Sequence, residues 1–137
     1  MAMRVGRIAA AVVVITGALM TGACTATTCS SVLFSDAVVV HFASPVNTAD
    51  LSAVRACVGS SCEEWPIDRT VSDQMIPIAV GPGSVTVSVT GHNHANQKLF
   101  GGSTRVTTVI SQPDGPGCQT VYRAKVTVTG SGLSPTG

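Results

Sequence analysis

Three histidines and five cysteines are the residues of this chain best suited to chemistry. His92 and His94 flank Asn93, and two histidines at i and i+2 can turn to one side and ligate a metal if a third ligand arrives. His41, on the polar face of an expected strand, is the candidate third ligand. The competing reading is a polar hairpin tip, where His, Asn and Gly are ordinary turn residues. Nucleophilic catalysis requires a hydroxyl or thiol beside an activating base. Ser and Thr are abundant, yet the chain has no G-x-S-x-G elbow and no S-x-x-K. Glu63 and Glu64 are neighbours on an expected strand, so they point to opposite faces and cannot share one substrate. Gly81-Pro82-Gly83 lacks the G-K-[ST] of a phosphate loop. Beyond the N-terminal region the aromatic residues are Phe34, Phe42, Trp65, Phe100 and Tyr122. Phe42 and Tyr122 are expected to face inward and Trp65 to plug the core, which leaves no aromatic platform for a glycan. No enzymatic activity and no cofactor is expected.

The N-terminus reads MAMRVGRIAAAVVVITGALMTGAC. Arg4 and Arg7 form a positive region, Ile8 to Met20 an apolar one, and small residues follow. This is the anatomy of a secretory signal peptide, and the apolar stretch is short for a spanning helix. Thr21-Gly22-Ala23-Cys24 resembles the lipobox of bacterial lipoproteins, although the usual Leu three residues before the cysteine is replaced by Thr21. The resemblance implies cleavage after residue 23 and a diacylglycerol on the Cys24 thiol. It places the mature chain at the cell membrane, lipid-anchored on the extracytoplasmic face. The alternatives are plain secretion after the same cleavage and an uncleaved anchor.

With Cys24 assigned to lipid, Cys29, Cys57, Cys62 and Cys118 remain, and an even number in an exported chain reads as two disulfides. Gly59-Ser60 suits a two-residue type II′ hairpin turn. That turn sets Val58 opposite Ser61 and Cys57 opposite Cys62, with the cysteines in a non-hydrogen-bonded pair at bridging distance. The same register pairs Arg55 with Glu64 and Val54 with Trp65, an ionic pair on one face and an apolar pair on the other. Glu63 then falls on the apolar face and is expected near a rim. By elimination Cys29 pairs with Cys118. A zinc site is disfavoured by the single C-x₄-C spacing, and the absence of C-x-x-C argues against a redox motif.

The elements that must position these residues are strands. The chain has 137 residues, 45% hydrophobic and 11% charged, with a formal net charge of +1. That near-neutral balance provides no basic field for nucleic acid. After residue 23 there are 17 Val but only 4 Leu, a β-branched composition that suits pleated, half-buried surfaces. Alternation of period two runs through Val85, Val87 and Val89, through Tyr122, Ala124, Val126 and Val128, and through Val38, Val40 and Phe42. The expected strands are 37–43, 53–58, 61–66, 74–80, 84–90, 98–100 continuing to 104–110, and 120–129. Gly101-Gly102 is expected to mark a bend or bulge rather than a full break, Pro77 an edge or bulge, and 48–55 to hold at most one helical turn.

About seven strands in roughly one hundred residues point to an all-β, immunoglobulin-like antiparallel β-sandwich. The arrangement resembles the small tethered immunoglobulin-like or transthyretin-like domains of exported bacterial lipoproteins, which often carry a C-V-x-G-x-C-type hairpin, here Cys57 to Cys62, and a P-x-G-P-G-C-type turn, here Pro113 to Cys118. The resemblance implies a fold and an address but no activity. The expected organisation is a cleaved signal peptide at 1–23, a tether at 24–35, the sandwich at 36–130 and a flexible tail at 131–137. The expected function is a non-enzymatic, lipid-anchored module for binding, adhesion or envelope scaffolding, touching the membrane through Cys24 and a protein or envelope partner through loops 91–97 and 111–117. The alternative is a metal- or small-ligand-binding lipoprotein using His92 and His94.

Overall fold

The computed structural model describes residues 28–44 and 46–136; the expected signal peptide and Cys24 lie outside them. The described residues form nine strands in two sheets and no helix. The strands are β1 (Ala37–Phe42), β2 (Ala53–Val58), β3 (Ser61–Pro66), β4 (Asp73–Pro77), β5 (Ser84–His92), β6 (Lys98–Thr107), β7 (Val109–Ser111), β8 (Val121–Thr129) and β9 (Gly132–Pro135). One sheet runs β4-β1-β8-β7 with β9 also on β8, and the other runs β3-β2-β5-β6.

Alternation explains the core. The even residues Val38 and Val40 of β1, Val54 and Ala56 of β2, and Val126 and Val128 of β8 are buried, as are the odd residues Val87 and Val89 of β5. Their intervening neighbours, such as Arg55, Ser88 and Thr127, carry the outer faces, with Val39 an apolar exception. Leu51 and Ile76 complete the interior. At one end Phe42 and Phe100 meet edge to face, with ring centroids 5.9 Å apart, an arrangement that suits the aromatic quadrupole.

The expected hairpin is present in its expected register: Val58 opposite Ser61, Cys57 opposite Cys62, Arg55 opposite Glu64 and Val54 opposite Trp65. Gly59 takes φ of +59°, the left-handed conformation that the first central position of this turn demands. Pro77 ends β4, an edge strand, where its missing N–H leaves no ladder bond unmade.

Other expectations are corrected. The sandwich is not wholly antiparallel, because β1 and β8 pair in parallel. A parallel pair needs a long crossover, and here most of the domain supplies it. The strand runs through Gly101-Gly102 without a break, as expected, and the irregularity lies just before them, where Gly91 pairs with Phe100 but His92 with Lys98, leaving Leu99 as the extra residue. A Cβ at Gly102 would stand 3.1 Å from the Leu133 side chain, so that position serves close packing of β6 on β9. The break falls at Thr108, where the chain passes from one sheet to the other and both the Thr108 amide and hydroxyl donate to the Gly83 carbonyl. The expected tail contains β9, which pairs with β8 from Val126 to Thr129. Trp65 does not plug the core. It is 41% exposed, because β3 is an edge strand and its partner Val54 takes the fully buried position.

The N-terminal stretch is also more ordered than a tether. Ser30 N donates to Asp114 Oδ2 at 3.1 Å, and Phe34 N donates to Gln119 Oε1 at 2.9 Å. The Gln119 amide donates back to the Phe34 carbonyl, and Arg123 donates to the Ser35 carbonyl. Residues 29–35 therefore belong to the sandwich, held by side chains that flank the start of β8.

Candidate functional site

Strand pairings give the molecule two distinguishable ends. At the first, Asp36 leads into β1 and gathers three backbone donors. Its Oδ1 accepts from Tyr122 N at 2.8 Å, and its Oδ2 accepts from Val80 N at 3.2 Å and Gly81 N at 3.1 Å. Burial acts to raise the Asp36 pKa, but the amides of Tyr122, Gly81 and Val80 and the charge of Arg123 prevail and hold the carboxyl below its ordinary range. Cys29 and Cys118 stand at disulfide distance at this end, with Cα atoms 5.6 Å apart. Cys57 and Cys62 also stand at disulfide distance, Cα to Cα 4.1 Å, beside the hairpin turn.

The second end carries loops 43–52, 67–72 and 93–97. A cleft of about 570 Å³ opens there between Phe42–Ala49 and Ile67–Gln74. It continues into a groove of about 620 Å³ between the β3 and β4 edges, lined by Trp65, Arg69, Val71 and Met75 among others. Trp65, Val71 and Met75 are between 41% and 50% exposed. Arg69 ties the two walls together, because one guanidinium nitrogen donates to the carbonyls of Ala49 at 3.1 Å and Leu51 at 2.7 Å. Asp68 shapes the turn by accepting both the hydroxyl and the amide of Thr70, at 2.6 and 2.9 Å, and those bonds lower its pKa. Gln74 is buried, and its Oε1 accepts from Asp68 N at 2.9 Å. The cleft as a whole leaves no local mark in the sequence, because its walls come from separate stretches of the chain. The one indirect signal in the sequence is Glu63, whose place on the Val54/Trp65 face marks that end of the hairpin as near a rim.

The histidines do not converge. His41 faces outward from the β1 sheet, where its Nδ1 lies 2.7 Å from Asp73 Oδ1 across the β1–β4 pair. His92 alternates with the buried Gly91 and so belongs to the outer side of the other sheet. Its Nδ1 is buried without a hydrogen-bond partner, whereas His94 is exposed. Asn93, not a histidine, organises the loop. Its Oδ1 accepts from Ala95 N at 3.0 Å and Gln97 N at 2.9 Å, and its Nδ2 donates to Gln97 Oε1 at 2.9 Å. Among the described residues no group of three or more His, Cys, Asp or Glu is placed to hold a metal. The two loops expected to make contacts lie at opposite ends: 91–97 at the cleft end, and 111–117 beside Cys118 at the other.

The chain matches no family model, no curated protein and no solved structure.

Proposed function

We propose that this protein is a non-enzymatic, lipid-anchored extracytoplasmic module with an immunoglobulin-like β-sandwich, serving binding or scaffolding at the cell envelope. The observation that carries the reading is the accounting of cysteines. Four of the five stand in two pairs at disulfide distance, and the fifth is Cys24, which closes the signal-like segment. Paired cysteines in a small β domain suit an oxidising compartment, and a thiol set apart from them suits modification. The hydroxyl–hydroxyl bonds of Ser88 with Ser103, between β5 and β6, and of Thr127 with Thr136, between β8 and the residue that follows β9, give a structural role to side chains that are abundant here.

In this reading Cys24 holds the Cys29–Cys118 end toward the bilayer, and the cleft between β3 and β4 is displayed away from it. Fractionation of cells making the full chain or its Cys24→Ala variant tests the proposal. The wild-type protein is expected in the membrane fraction, extractable by detergent but not by salt, and the variant outside it. A variant that stays equally membrane-bound refutes the anchor.

A further inference from the structure

Four residues separate Cys24 from Cys29, so their Cα atoms can stand no more than about 18 Å apart even in a fully extended chain. Beyond Cys29 there is no slack. Cys118, Asp114, Gln119 and Arg123 fix the backbone from Cys29 to Ser35. Within this fixed segment two apolar side chains are held outward: Val32 is 59% exposed and Leu33 is 90% exposed. Ile110, 63% exposed, sits at the same end of the sheet, opposite Tyr122, whose amide bonds Asp36. A flexible segment could turn such residues toward the core, but this one is pinned on both sides of Val32 and Leu33.

We propose that this end of the sandwich is a bilayer-contact surface, with Val32 and Leu33 seated in the headgroup region beside the lipidated Cys24. The inference rests on the lipoprotein reading and adds to it. The occupant is a lipid surface because the short covalent reach from Cys24 brings a bilayer, before any other partner, against this patch. Apolar side chains at the interface supply a second hold beside the acyl chains. The consequence is orientation: the domain stands on the membrane with its cleft end outward.

The test uses the full chain, purified lipidated from membranes and reconstituted in mixed phosphatidylethanolamine–phosphatidylglycerol vesicles. A Leu33→Trp variant is made in a Trp65→Phe background, so that one indole reports. Its emission is expected to shift to the blue on reconstitution and to lose most of its intensity to lipids brominated near the headgroup. Trp65 in the otherwise wild-type protein, at the other end, is expected to show neither change. Hydrogen exchange gives a measurement independent of the tryptophan: the amides of 29–35 should be more protected on vesicles than in detergent, and a Val32→Asp/Leu33→Asp variant should lose that difference. An unshifted, unquenched Trp at position 33 in protein whose mass shows lipid on Cys24 overturns the contact and spares the anchor. A mass without lipid overturns both.

Discussion

Asp36 does more for this fold than its place at the beginning of β1 suggests. One carboxylate joins the start of β1, the approach to β5 and the start of β8 through bonds to Tyr122, Val80 and Gly81. Because its pKa is lowered in the folded state, it contributes stability that is fully present above its ordinary value of 3.8 and is lost as pH falls through the lowered value. Asp36→Asn keeps one acceptor oxygen but sacrifices the charge-assisted bonds, and should cost about 1–3 kcal/mol near neutral pH. Urea unfolding measured across the acid range should then show a shallower pH dependence in the variant than in the wild type. Gly91 makes a separate residue-scale case. A Cβ there would overlap the Phe100 ring and stand 2.7 Å from Leu51 Cδ1. Gly91→Ala should therefore destabilise by about 1–3 kcal/mol through overpacking. In a double-mutant cycle, Phe100→Leu should absorb part of that cost, since it removes the ring from the overlap.

At the scale of elements, the two cysteine links differ in what they constrain. Cys57–Cys62 closes a separation of 5 residues and Cys29–Cys118 one of 89. In the chain-entropy model the short loop contributes about 2 kcal/mol and the long one about 4–5 kcal/mol. Urea midpoints of the Cys57→Ser/Cys62→Ser and Cys29→Ser/Cys118→Ser proteins should rank in that order, with the second pair the more damaging. The hairpin holding the short link was legible from sequence because everything that sets it is local. Gly59 fixes the turn, the turn fixes the register, and Arg55–Glu64 and Val54–Trp65 confirm it. The valine alternation of β1, β5 and β8 was legible for a similar reason, since period two reports which side is buried. Partnership between distant strands left no such trace. Nothing within β1 or β8 specifies a parallel pairing, and Gly132–Pro135 lacks the β-branched run that marks other strands. The same holds for the candidate site. The cleft is assembled by Arg69 reaching from one loop to the carbonyls of another, which no spacing rule contains. The histidine spacing was visible, but the alternation of β1 and β5 sends His41 and His92 to opposite outer faces.

For the whole molecule, the two ends take different roles. One carries Asp36, the Cys29–Cys118 link and the outward Val32 and Leu33; the other carries the Phe42–Phe100 contact, the Asn93-centred loop and the cleft between β3 and β4. A domain with this polarity suits attachment at one end and display at the other. Beyond residue 23 the chain has six basic and seven acidic side chains, so long-range charge steering contributes little, and recognition would rest on shape and apolar contact. The central claim is that Cys24 is the lipid attachment point while the other four cysteines staple the domain. Peptide mass mapping of the membrane-extracted protein, without reduction, tests it most directly. The expected result is a mature N-terminus at Cys24 carrying diacylglycerol, with Cys29 linked to Cys118 and Cys57 linked to Cys62. A free Cys24 thiol, or Cys24 in a disulfide with any of the other four, would contradict it.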